Sequence, residues 1–198
     1  YQVFPVDQRL AAYEDAEISK MLEPYLFGLN MKLDLRRVIA YAPKTILRRS
    51  NTGNGDSGLG NIVASSMQLR RGVDAEFSIT NTLGIRDNFY AGPLTLEDLF
   101  NVFPFENSLT MMYLSGREIQ ELVDYITERS ASRGCQSQAQ VSGISFTMNC
   151  GQVLTNAKNI EEYVNPGEDI LINGEEVVPD NSYKLATNDY IANGGSGF

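Results

Sequence analysis

Histidine is absent from all 198 residues. That removes Ser-His-Asp and Cys-His nucleophilic arrangements, which need an imidazole to take the nucleophile's proton. It also removes any histidine-rich metal centre. Cationic charge is scarce: 16 Lys and Arg stand against 25 Asp and Glu, for a net charge of −9. A general nucleic-acid binder needs a phosphate-neutralising basic surface, so no nucleic-acid partner is expected. A small anionic ligand is still allowed, because one arginine fork can hold it. No apolar run is long enough to span a bilayer, so direct membrane insertion is not expected. Carboxylates are plentiful (Glu17, Asp56, Asp74, Asp87, Glu97, Asp98, Asp189), but none shows a diagnostic spacing for acid–base work or for a calcium or magnesium site. Each reads more simply as a solvated or capping acid. The residues thus assign no catalytic group and no metal ligand.

What is present supports a globular domain. Hydrophobic residues make up 42% of the chain, and the length fits one large domain, or a domain with an appendage. The chain starts at Tyr1, not Met, and stops just after a glycine-rich turn. Both features predict a processed product or a fragment, with residues missing at each end. The two cysteines, Cys135 and Cys150, flank a segment that reads as turn plus strand. A disulfide would stabilise by about 3 kcal/mol through loop closure and would point to a periplasmic or extracellular location. Two buried free thiols are the competing reading.

Apolar spacing gives the elements. Residues 13–30 form the clearest helix, with Ile18, Met21, Leu22, Tyr25, Leu26 and Leu29 on one stripe and Pro24 inside it as a possible kink. Alternation over residues 33–42 predicts one or two strands, ended by Pro43. Residues 50–58 read as a flexible loop and 58–70 as a helix. Phe77 and Ile79 suggest a short strand. Thr95 is a plausible N-cap for a helix ending before Pro104. Residues 108–114 look like a strand, followed by a helix capped by Ser115 with Glu118 as its capping-box partner. Ser142–Met148 alternates as a strand. Further strands are expected at 170–172, 177–178 and 183–187, and Asn173-Gly174 is a hairpin turn signal.

Several motifs could carry chemistry. Gly53-Asn54-Gly55-Asp56-Ser57-Gly58 matches G-x-G-x-x-G, but the stretch before it is a poor buried strand, so a surface loop is the better reading. Arg86, after Gly84, offers a donor fork suited to phosphate; a surface or salt-bridging arginine is the plainer alternative. Asn81 could face a base or sugar, or simply bond its own backbone. Phe105 and Tyr190 could sandwich a planar base, each stack worth about 1–3 kcal/mol, though Phe105 alone would pass for core. Gly194, Gly195 and Gly197 make a turn whose amides can face a ligand, or a purely structural turn.

Taken in order, Leu59-Gly60-Asn61-Ile62-Val63-Ala64, Asn81 to Arg86, Gly92-Pro93-Leu94-Thr95, Phe103-Pro104-Phe105, Leu114-Ser115-Gly116, Val141-Ser142-Gly143-Ile144 and Ala186-Thr187-Asn188 to Phe198 resemble the C-terminal, substrate-binding domain of the 5'-nucleotidase family. The resemblance covers residues 45–198. It implies an α+β fold, a mixed β-sheet packed with helices, with residues 1–44 as interdomain linker helix and leading strand. It implies a metallophosphoesterase domain, in cis or in trans, that holds two divalent metal ions outside this chain. Phe105 and Tyr190 would stack on the base, Arg86 would contact phosphate, and Asn81 would contact base or sugar. Ser196 would stand at the ribose hydroxyls, and Gly195 would belong to the same substrate-binding turn.

This chain departs from the family pattern at three places. Thr82-Leu83-Gly84 replaces a glycine triplet. Ser196 stands where an aspartate usually holds the ribose hydroxyls. Glycines replace an arginine that some members carry before the helix at Leu59. Altered specificity is therefore expected. The role implied is recognition of a nucleotide or nucleotide sugar for a phosphoester hydrolase, with the isolated chain not catalytic. The alternatives are a stand-alone nucleotide-binding module, or a degenerate structural or interaction domain. The family includes periplasmic, secreted and surface-anchored members, which again implies a location outside the cytoplasm.

Overall fold

A computed structural model describes residues 13–49, 53, 55–158 and 162–198; part of the loop expected at 50–58, including Asn54, lies outside the described residues. Helix α1 (Ala16–Leu33) begins at Asp15, whose carboxylate accepts from the N–H groups of Glu17 and Ile18. It runs unbroken through Pro24 and stops at Asp34, which turns left-handed (φ 43°) and donates its N–H to the Asn30 carbonyl. Leu33 is thus helical and Leu35 lies in the turn that follows, so the strand expected at 33–35 does not form. The apolar stripe of α1 is exposed along its whole length, from Ile18 through Leu29. Strand β1 (Val38–Ala42) pairs antiparallel with β3 (Gly92–Thr95) in a two-stranded sheet.

The body of the molecule is a mixed four-stranded sheet in the order β4 (Leu109–Ser115), β9 (Ser182–Asn188), β2 (Phe77–Asn81), β5 (Ala139–Ser142). Strands β2 and β9 run parallel and the other two pairs antiparallel. An α+β arrangement with a mixed sheet results, as expected. Helix α4 (Gly116–Ala131) packs on this sheet through Ile119, Val123 and Ile126, which join Phe77, Ile79, Ala139 and Leu185 in the main core. Its start is fixed by the capping box of Ser115 and Glu118. An antiparallel three-stranded sheet of β6 (Ile144–Met148), β7 (Gly167–Ile172) and β8 (Glu175–Glu176) adds Ile144 and Ile172 to the same core.

Two expected strands shift. Ser142–Met148 divides at Gly143 (φ +75°), where a Cβ would overlap the Glu76 carbonyl, so its halves belong to different sheets. The short strand near Val177 falls at Glu175–Glu176, directly after the Asn173-Gly174 turn; both turn residues have positive φ, as the hairpin signal requires. Cys135 and Cys150 form the disulfide, tying the segment after α4 to the start of helix α5 (Cys150–Asn156).

Helix α2 (Gly58–Gln68) packs near β2, β5 and β9. Ser78 Oγ donates to the Ala64 carbonyl at 2.6 Å, binding β2 to that helix. Gln140 Oε1 accepts from the N–H and the hydroxyl of Ser57, and Gln140 Nε2 donates to Thr82 Oγ1. The first turn of α2 is thereby locked to the short 3-10 turn Thr82–Gly84. A second, smaller core of Leu59, Ile85 and Val102 sits beneath that turn and helix α3 (Leu96–Val102), which starts at the Thr95–Asp98 capping box. The glycine-rich motif leads into α2, but the described residues 43–49 before it hold an isolated bridge at Ile46 and no strand.

Candidate functional site

Because β2 and β9 are parallel, their carboxyl ends lie side by side, at Asn81 and Asn188. Both side chains are buried. Asn188 Nδ2 donates to Thr80 Oγ1 at 3.2 Å and to Asn81 Oδ1 at 3.3 Å, while Asn188 Oδ1 accepts the Ile191 N–H at 2.8 Å. One asparagine therefore joins the two strand ends and caps the short helix α6 (Asp189–Ala192). It also faces a cleft of about 270 Å³, lined among others by Arg70, Thr80, Gly84, Ile85, Phe105 and Asn188.

Arg86 and Phe105 form one group, of which Phe105 lines this cleft and Arg86 does not. The Arg86 N–H is fixed on the Val102 carbonyl at 2.9 Å, and its guanidinium lies 6.0 Å from the Phe105 ring centre, a cation–π distance. Arg86 Nη1 also donates to the Leu83 carbonyl at 3.4 Å. Arg86 is exposed, and among the described residues no carboxylate pairs with it. Phe105 is 53% exposed, so its ring is a surface, not core. Phe103 has the opposite fate, packing edge-on against Phe89 beside the smaller core.

Tyr190, Gly195 and Ser196 form the second group. Tyr190 is 47% exposed. Its phenol oxygen accepts from the Ser196 N–H at 3.1 Å, with the Ser196 hydroxyl at 3.5 Å. Those two donors, the hydroxyl first, hold the phenol below the ordinary tyrosine range, helped by the positive Arg129. A Cβ on Gly195 would come within 2.6 Å of the Tyr190 ring and closer still to its carbonyl oxygen, so glycine is needed for this approach. Gly194 and Gly197 both have positive φ, and so does Ser196, at 59°.

Asn81 belongs with neither aromatic. Its carboxamide oxygen is held by Asn188 and lies against Gly84, where a Cβ would meet it at 3.0 Å. Sequence reasoning misses Asn188 as a site residue, although an asparagine before an acidic first turn is an N-cap signature. Tyr125 and Arg129, which reach the closing turn from α4, carry no local signal at all.

Residues 38–198 match the family model described as "5'-nucleotidase, C-terminal domain". The chain belongs to that family. Relatives of the 5'-nucleotidase C-terminal domain include the 5'-nucleotidase of Vibrio vulnificus, 27% identical over 189 residues, covering 93% of this chain and 30% of the relative. Protein UshA of Salmonella pullorum is 30% identical over 152 residues, covering 76% and 24%. Among solved structures, the 5'-nucleotidase precursor from Thermus thermophilus superposes with a TM-score of 0.70 at 25% identity, covering 93% of this chain and 35% of that one. The chain thus spans about a third or less of the length of each of these proteins. Among the described residues no group of three or more His, Cys, Asp or Glu side chains could hold a metal ion, and no helix is long and apolar enough to cross a membrane.

Proposed function

We propose that this domain recognises a nucleotide or nucleotide sugar for a 5'-nucleotidase-like phosphoester hydrolase. The dimetal catalytic domain lies outside the chain, on the same precursor or on a separate one. The described acids and cysteines do not fit a metal pair, so no hydrolytic step is assigned to this chain. Residues 1–44 act as the link to the catalytic domain, and the exposed stripe of α1 suits a segment that works between domains. The disulfide favours an oxidising compartment, the periplasm or the cell exterior.

The observation that carries this reading is the pairing of Arg86 with Phe105. An arginine without a carboxylate partner among the described residues lies over the exposed ring of Phe105, and that ring lines a cleft of mixed apolar and polar wall. In the proposed roles Arg86 takes phosphate, while Phe105 and Tyr190 stack on the base. Asn81, whose carboxamide oxygen Asn188 already holds, has its Nδ2 to offer base or sugar from the strand end, and Gly195 and Ser196 border the ribose. Ser196 is uncharged and can donate or accept, so it grips sugar hydroxyls less tightly than a carboxylate would.

Calorimetric titration of the chain with AMP, adenosine, UMP and UDP-glucose, beside Arg86→Ala, tests the proposal. Saturable binding is expected. The variant should weaken AMP while leaving adenosine nearly unchanged, because adenosine has no phosphate. Absence of heat with every ligand from folded protein would overturn the reading.

A further inference from the structure

Helix α4 reaches the closing glycine turn through two side chains that the proposed ligand contacts do not use. Arg129 Nη1 donates to the Tyr125 phenol oxygen at 3.2 Å. Tyr125 in turn donates its hydroxyl hydrogen to the Ser196 carbonyl at 2.9 Å. Ser196 then donates its own N–H to the Tyr190 phenol oxygen at 3.1 Å. Both peptide groups flanking Ser196 are therefore gripped, one by α4 and one by Tyr190. Ser196 stands left-handed at φ 59°, a conformation that costs a non-glycine residue free energy and persists where its surroundings hold it.

The approach is sterically built. The Tyr125 ring packs edge-on against Phe198 with centroids 5.4 Å apart. Its hydroxyl occupies the space that a Cβ on Gly197 would fill. On the other side, Tyr190 occupies the space that a Cβ on Gly195 would fill. The turn is thus wedged between a half-buried tyrosine on a rigid, core-anchored helix and the half-exposed Tyr190.

We infer that Tyr125 and Arg129 are positioning residues that fix the Tyr190 ring, through Ser196, for stacking on the ligand's base. The inference rests on the proposed role of Tyr190 as a stacking face. The physical reason is preorganisation. A half-exposed ring tied only by its own rotamer preference must be ordered when ligand binds, and the α4 contacts order it beforehand. Losing that order should weaken binding by about threefold to tenfold.

The test uses the full chain as wild type, Tyr125→Phe, Arg129→Met and, as a control, Tyr25→Phe on exposed α1. Two readouts are taken: the titration of the Tyr190 phenol by NMR on tyrosine-labelled protein, and calorimetry with AMP and adenosine. Tyr125→Phe keeps the ring against Phe198 and should leave the thermal melt close to wild type. It should move the Tyr190 titration up towards the ordinary tyrosine value and weaken AMP and adenosine alike, since both present the base. Arg129→Met should do the same less cleanly, because it also removes a nearby positive charge. Tyr25→Phe should change neither readout. An unchanged Tyr190 titration in Tyr125→Phe would overturn the coupling. Unchanged affinity in that variant, with wild type binding, would overturn the positioning role while leaving the nucleotide reading intact. Absence of binding by wild type would instead sink the nucleotide reading, and with it the stacking role, while the titration alone would still decide whether α4 holds Tyr190.

Discussion

Asn188 Nδ2 lies 3.3 Å from Asn81 Oδ1, which joins the last residue of β9 to the last residue of β2 across a parallel pair. The same side chain caps α6, the helix that carries Tyr190. Asn188→Ala removes the cap and leaves the Asn81 oxygen without its donor. A loss of about 1–3 kcal/mol in folding stability is expected for such a buried group. Nucleotide binding should fall too, because α6 loses its fixed start. Urea unfolding and calorimetry on the same preparation check both, and a variant equal to wild type in each would remove Asn188 from the site's framework.

Gly195→Ala should act on Tyr190 more than on the fold. The added methyl would sit within 2.6 Å of the Tyr190 ring and nearer its carbonyl oxygen, and backbone cannot yield cheaply there. Gly195 is itself in neither buried core, although Phe198 at the end of the same turn packs against the main one, so the melt should fall only modestly. AMP affinity should drop about tenfold or more, given a stacking contribution of about 1–3 kcal/mol per base. Retained affinity would place the ligand elsewhere.

The disulfide gives a third expectation. Cys135 and Cys150 are 15 residues apart in sequence, and closing a loop of that size stabilises by about 3 kcal/mol. Replacing both with serine should cost roughly that much in urea unfolding, and reductant should do the same to wild type. The bond ties α4's exit to α5, and neither cysteine lines the cleft beside Phe105, so ligand affinity at low denaturant should be unchanged.

Local signals are readable where the chemistry is local. Thr95 with Asp98 and Ser115 with Glu118 are capping boxes in sequence and in structure. Asn173-Gly174 makes its turn because only left-handed backbone closes that hairpin. The α1 stripe is visible as a helix, but its burial cannot be inferred, since periodicity says which face is apolar and not what covers it. Leu33–Leu35 alternates like a strand, yet Asp34 adopts the left-handed cap that ends α1 instead. Helix α5 has almost no apolar period and starts from the Asn149 cap, so it offers no pattern to read. The family pattern singles out Arg86, Phe105 and Tyr190. It does not show that Tyr125, 71 residues before Ser196, holds the closing turn, because that contact is set by the packing of α4 on the sheet.

Asp124 offers a test of pH dependence. It is buried on α4, where its Oδ1 accepts from the Gly167 N–H at 2.8 Å and from Gln120 Nε2 at 3.0 Å. Burial pushes its carboxyl above the usual carboxylate range against those two bonds, and the neighbouring Glu128 and Glu121 push the same way. A raised native value means that the folded chain holds the proton more tightly than the unfolded chain. The group costs nothing below its unfolded value, where both states are protonated. The cost develops as pH rises through the carboxylate range and is complete above the native value. Asp124→Asn keeps an oxygen acceptor for Gly167 and never ionises. Its stability relative to wild type should therefore rise from acid to neutral pH. Asp124→Ala leaves the buried Gly167 N–H unpaired and should lose about 1–3 kcal/mol even at acid pH. Urea unfolding of the three proteins across that range separates the charge from the hydrogen bond. An Asp124→Asn difference that stays flat with pH would show that Asp124 ionises alike in the folded and unfolded chain.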